Sequence, residues 1–107
     1  MKSLLKGFAA FLHLERNFLE HSIAAYTADV KRFADYLNQQ HTDIAIEAIE
    51  PIHCEEYLYY LNELGIDRNS QARTLSGLKT FYKYLITDEV ITEHPLQTID
   101  APKLHRK

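Results

Sequence analysis

The chain has 107 residues, 46% of them hydrophobic and 11% aromatic, and a formal net charge of −3. This suffices for one compact domain with its own core, and three Gly, three Pro and one Cys exclude collagen-like, Pro/Gly-rich and disulfide-scaffold chains. No apolar run approaches the roughly 18 residues of a membrane span, and Met1-Lys2-Ser3-Leu4-Leu5-Lys6-Gly7 holds too short an apolar stretch for a signal peptide, so a soluble cytoplasmic protein without a membrane partner is expected.

Four segments show helical periodicity and none alternates with period two. The first covers residues 3–16, with Leu4, Leu5, Phe8, Phe11 and Leu12 on one stripe. Asn17 follows as a residue that tolerates the left-handed conformation ending a helix. The second covers residues 21–39. Ile23, Tyr26, Val30, Phe33, Ala34 and Leu37 face inward, Lys31, Arg32 and Asp35 face outward, and Ser22 is a candidate cap. Residues 40–50 form a connection whose Ile44, Ile46 and Ile49 tuck beneath the helices.

The third helix opens on Pro51 and closes at Gly65, with Cys54, Tyr57, Leu58, Leu61 and Leu64 inward. Asp67 then caps a fourth helix running to about residue 86, close to 30 Å long. From Thr92 the chain carries Pro95 and Pro102 and ends in Lys103-Leu104-His105-Arg106-Lys107, which reads as an extended linker. The expectation is an all-α, four-helix bundle-like domain over residues 1–91 and a linker over 92–107. A domain ending in a linker suggests a piece of a longer protein.

The net charge conceals a strong asymmetry. Residues 1–32 carry +2, residues 33–67 carry −8 with no Lys or Arg, and residues 68–107 carry +3. The fourth helix concentrates it. At 100° per residue, Thr74, Leu75, Leu78, Phe81, Tyr82, Leu85 and Ile86 fall on one arc, while Asn69, Arg73, Ser76, Lys79, Thr80 and Lys83 fall on the other. No acid occurs from residue 68 to 87. Ordinary exposed helix faces mix both signs. This one suits a nucleic-acid duplex: Lys and Arg neutralise phosphates, Arg reads guanine edges, and Ser and Thr donate at short range. Gly77 borders the polar face and permits either close backbone approach or helix packing. The rival reading is a helical protein–protein module whose basic face meets an acidic partner.

Other constellations carry little. His53-Cys54 invites a metal reading, but neighbours on a helix diverge by about 100° and no ligand-type residue completes a site. Cys54 reads as a small core residue and Glu55-Glu56 as a solvated face. There is no phosphate loop or nucleophile elbow, so neither a cofactor, a metal nor a catalytic residue is expected.

The stretch from Gly65 through Arg73-Thr74-Leu75-Ser76-Gly77-Leu78-Lys79-Thr80-Phe81-Tyr82 to Leu85 resembles the last long helix of the N-terminal core-binding domain of tyrosine recombinases, the phage-integrase and Xer-type enzymes. Ser22-Ile23-Ala24-Ala25-Tyr26-Thr27-Ala28-Asp29-Val30-Lys31-Arg32-Phe33 resembles that family's second helix. His94-Pro95-Leu96 and Ala101-Pro102-Lys103 resemble its linker. The likeness runs through essentially the whole chain in order, and departs from the pattern at Asn17 and Leu19, where the family carries Gly and a hydroxyl cap.

The resemblance implies an orthogonal, SAM-like arrangement of helices that forms half of a clamp around DNA. It implies DNA contacts by Ser22, Thr27 and Lys31 of the second helix, by Arg73, Ser76, Lys79, Thr80 and Lys83 of the fourth, and by Lys103 and Arg106 of the tail. As partners it implies double-stranded DNA, a catalytic domain of the same chain and other recombinase subunits in a synaptic tetramer. The family's catalytic Arg, Lys, His and Tyr belong to a second domain, so this segment is expected to have no chemistry of its own. Its tyrosines read as packed residues with hydroxyls near the surface.

Overall fold

A computed structural model of the chain describes residues 2–15, 17–40 and 43–99. Among these residues the chain is all-helical, with α1 (Lys2–Leu14), α2 (Glu20–Gln40), α3 (Pro51–Glu63) and α4 (Arg68–Thr87). A single 3-10 turn, Ile46–Ala48, interrupts the connection between α2 and α3. α4 touches each of the other three helices, and α2 lies between α1 and α4.

The helix ends follow from local chemistry. At α3, the Glu50 side chain accepts from the His53 N–H while His53 Nδ1 accepts from the Glu50 N–H at 2.9 Å, closing a capping box ahead of Pro51. His53 therefore has a structural use in place of the metal reading its neighbour Cys54 invites. Gly65 takes φ 87°, so that its N–H reaches the Asn62 carbonyl and the Ile66 N–H reaches Leu61, both at 3.1 Å. Asp67 caps α4 by accepting the Ser70 N–H at 2.8 Å. The far end of α4 uses the same closing turn as α3, with Val90 N–H on the Leu85 carbonyl at 2.8 Å, but places Glu89 at φ 62°.

One core joins all four helices. Phe8 and Leu12 of α1, Val30, Phe33 and Leu37 of α2, Cys54, Tyr57 and Leu61 of α3, and Leu75, Leu78, Phe81, Tyr82 and Leu85 of α4 are buried together. Ile46 and Ile49 close it from below, as their spacing predicts. Burial pushes the Cys54 thiol up to about 12, so it stays neutral. Tyr82 departs from the expected surface hydroxyl: the side chain is fully buried and its OH donates to the Ile46 carbonyl, fastening the 3-10 turn to α4. Tyr84 is buried because the tilted rings of Phe8 and Phe11 of α1 pack against it, centroids 5.9 and 5.5 Å away. Leu64, expected inward, is exposed: it is the C-cap residue just past α3, before the Gly65 turn, and has left the packed stripe.

The segment expected as an extended linker differs most. Leu96 is 0% exposed and Ile99 is also buried, so residues 92–99 close over the domain and the packed unit reaches at least residue 99 rather than 91. The reason lies in His94. Its Nδ1 accepts the Leu96 N–H at 3.2 Å, which leaves Nε2 to donate to the Lys79 carbonyl at 3.0 Å, and this turns the chain back onto α4. Proline-rich composition does not reveal a tether made by one imidazole. Residues 100–107 lie outside the described residues.

Replacing Leu96 by Ala is expected to cost about 2–4 kcal/mol in urea denaturation, against under about 0.5 for the exposed Thr98→Ala. Glu89→Gly is expected to stabilise by about 0.5–1 kcal/mol, since the left-handed turn no longer carries a side chain.

Candidate nucleic-acid interface

The outward face of α4 carries Arg73, Lys79 and Lys83 with no acid on the helix, and tertiary structure divides its members into two groups. The first lies along the second half of the helix. Lys79, Thr80 and Lys83 line a shallow groove of about 360 Å³ together with Ala72, Leu75, Ser76 and His94. Lys83 is exposed and Lys79 half-buried. The Thr80 hydroxyl donates to the Ser76 carbonyl one turn back at 2.9 Å, leaving its oxygen lone pairs toward the groove.

The second group sits at the seam between α2 and α4, and Asp29 organises it. This carboxylate is 2% exposed. Its Oδ2 accepts from Arg73 Nη1 at 2.6 Å, across 44 residues of sequence, and its Oδ1 accepts from Arg32 Nη1 at 3.1 Å, one turn along α2. Burial pushes the Asp29 carboxyl above the usual carboxylate range, and Arg73, then Arg32, oppose that push without cancelling it. Both guanidiniums keep a wet side: Arg73 is 48% and Arg32 66% exposed. A guanidinium has five N–H donors, so each retains several directed away from Asp29. Tyr26 OH lies 3.4 Å from Ser76 Oγ in the same seam. Gly77 faces Asp29 and Tyr26, which assigns it to helix packing rather than to approach by a ligand.

Arg73 is thus where the sequence puts it, but as half of an ion pair. Arg32 was left among the solvent-facing residues of its helix, and the structure brings it beside Arg73. Asp29 could have been found: it is one turn before Arg32 and follows Tyr26 on the inward side of α2. What sequence could not supply is the identity of the distant partner.

The α2 residues expected to act with α4 divide differently. Ser22 lies half-buried in the first turn. Thr27 points its hydroxyl at its own helix, donating to Ile23 and Ala24 carbonyls at 2.9 and 3.1 Å. Lys31 pairs with Asp35 at 3.6 Å and lines a depression with Ser3, Leu4 and Leu5, on the α1 flank of α2. Neither Thr27 nor Lys31 joins the seam. Lys103 and Arg106 fall outside the described residues.

No group of three or more His, Cys, Asp or Glu that could hold a metal occurs among the described residues. Nor is any described helix long and apolar enough to cross a membrane.

Residues 5–89 match the family described as phage integrase, N-terminal SAM-like domain. Among curated proteins, the chain is similar to the tyrosine recombinase XerC of Leptospira interrogans serovar copenhageni, 35% identical over 103 residues, covering 95% of this chain and 32% of that protein. It is similar to the tyrosine recombinase XerD of Chlorobaculum tepidum, 31% identical over 105 residues, covering 98% of this chain and 34% of that one. The XerC of Listeria innocua is 35% identical over 100 residues, 94% of this chain and 33% of its own length. The chain therefore spans about a third of these relatives. No solved structure matches it significantly.

The buried ion pair has a pH signature. Because the folded Asp29 sits above its ordinary 3.8, folding takes up a proton here, and the associated stability is present below that value and lost as pH rises through the folded one. Arg73→Gln removes the stronger opposing charge and moves the folded value further up, so the loss extends to higher pH. The variant is expected to be about 1–2 kcal/mol less stable at pH 7, with the difference shrinking at pH 3.5, as read by paired urea titrations.

Proposed function

The chain belongs to the phage-integrase N-terminal SAM-like family of tyrosine recombinases, and on that premise we propose that it grips the recombination site in duplex DNA through the shared outward surface of α2 and α4. The observation that carries this reading is the composition of α4: twenty residues without one acid, with Lys79 and Lys83 bordering an open groove that Ser76 and Thr80 also line. A duplex presents regularly spaced phosphates, and cations held on a rigid helix meet them with little ordering cost. The Arg73–Arg32 pair extends the cationic surface onto α2, with each guanidinium oriented by Asp29. In this reading Arg32 takes the place of Lys31 as the chief cation of α2, because Lys31 is paired on the other flank. Ser22 and Thr27 contribute hydroxyl contacts at most, and Lys103 and Arg106 would follow the duplex backbone beyond the packed unit.

Strand exchange itself belongs, on this proposal, to a catalytic domain beyond this segment. DNA binding by the helical domain would recruit that domain to the site and help close a clamp, with further recombinase subunits assembled on the same DNA.

In fluorescence titrations against duplex DNA, three to five phosphate contacts predict a log–log salt slope of roughly −3 to −5. Lys79→Ala with Lys83→Ala is expected to reduce the magnitude of that slope by about 2 and to weaken binding across sequences, with helicity unchanged by circular dichroism. An unchanged slope in the folded double variant would remove α4 from the interface.

A further inference from the structure

α3 mixes large apolar residues with carboxylates on its outer face. Its inner face delivers Cys54, Tyr57 and Leu61 to the core, yet its outer face displays Ile52, Tyr59 and Tyr60, with Tyr59 67% exposed. A helix that packs on one side only needs no large apolar residues there. The outer residues form a single stripe: Ile52, Glu55, Glu56, Tyr59, Tyr60 and Glu63 recur at three- and four-residue spacing. They line a groove of about 520 Å³ with Tyr36 and Gln40 of α2. Tyr36 and Tyr60 form an aromatic wall backed by the buried Tyr57. The Tyr60 ring lies 5.0 Å from that of Tyr36 and, nearly parallel, 6.2 Å from that of Tyr57.

The charged residues that line this groove, Glu55, Glu56 and Glu63, have one sign. Residues 33–67 hold eight acids and no Lys or Arg. Such a surface repels a phosphate backbone or an anionic membrane. Tyrosine rings beside carboxylates suit one common side chain above others: a guanidinium stacks flat on a ring while donating in pairs to a carboxylate. We infer that the outer stripe of α3 docks an arginine-bearing extended segment of a partner protein. From Ile52 to Glu63 the stripe runs about 17 Å, the reach of about five extended residues. Ile52 at one end offers an apolar seat for a neighbouring side chain.

This role is independent of DNA binding, and the experiment separates them. An acetylated heptapeptide of alternating arginine and leucine is titrated into the ¹⁵N-labelled chain, alongside its lysine and glutamine counterparts. The expected result is saturable amide shifts concentrated at residues 52–63, arginine binding more tightly than lysine, and no binding of the glutamine peptide. Tyr59→Ala, which leaves the net charge unchanged, is expected to weaken the arginine peptide about fivefold, and Glu55→Gln with Glu63→Gln by at least as much. The same Tyr59→Ala variant keeps duplex-DNA affinity, while Lys79→Ala with Lys83→Ala keeps peptide affinity.

Three results would overturn the inference: arginine and lysine peptides binding alike with no effect of Tyr59→Ala, which is diffuse attraction to an acidic protein; shifts spread over other acidic residues; or dimerisation in sedimentation that Tyr59→Ala abolishes, which gives the stripe to a second copy of this chain.

Discussion

A carboxylate withdrawn from water must be answered from inside the fold, and at Asp29 the answer comes from two helices. Arg32 replies from one turn along α2 and Arg73 from α4. Removing either guanidinium leaves a buried charge under-compensated, and the Asp29–Arg73 pair ties α2 to α4 across the seam. Gly77 faces the same spot: a Cβ there would stand 3.6 Å from Asp29 Oδ2 and 3.7 Å from Tyr26 Cγ. Those are ordinary van der Waals distances, so the seam is specified by its charges rather than by a tight steric fit. Its consequence is directional. Two guanidiniums that would otherwise sample many rotamers are held at the junction of two helices with their remaining donors outward.

A second constraint acts at the other end of the cationic face. His94 bonds the Lys79 carbonyl, and its ring lies 6.2 Å from that of Tyr82. The imidazole thus joins the groove wall to the buried Tyr82, which in turn holds Ile46 of the α2–α3 connection. Leu96 follows two residues later and seals the core. The route by which the chain leaves α4 and the surface proposed for DNA are parts of one packed arrangement. A change in one is felt in the other through rigid contacts rather than through a flexible tether.

Charge is partitioned with similar economy. The acid-free helix and the cation-free stretch of residues 33–67 present surfaces of opposite sign. On the two proposals above, a polyanion and a cationic segment would bind at different places. Cys54, the single thiol, takes no part in either and is kept neutral by burial.

Much of this was legible in the residues. The 3.6-residue repeat of large apolar side chains located four helices; Asp67 and the Gly65 turn marked ends by satisfying backbone groups that a helix terminus leaves open, and Pro51 by having no N–H to leave open. The acid-free face of α4 needed only its own angular spacing. Local rules failed where a residue's environment comes from elsewhere in the chain. Tyr84 is buried by α1 and Leu96 by a histidine tether, and Lys31 turns out to flank α1 rather than α4. Above all, nothing in sequence spacing joins Asp29 to Arg73, 44 positions apart. Periodicity records which way a side chain points from its own helix axis; which charge waits there depends on how the axes cross, and only the packed core sets that.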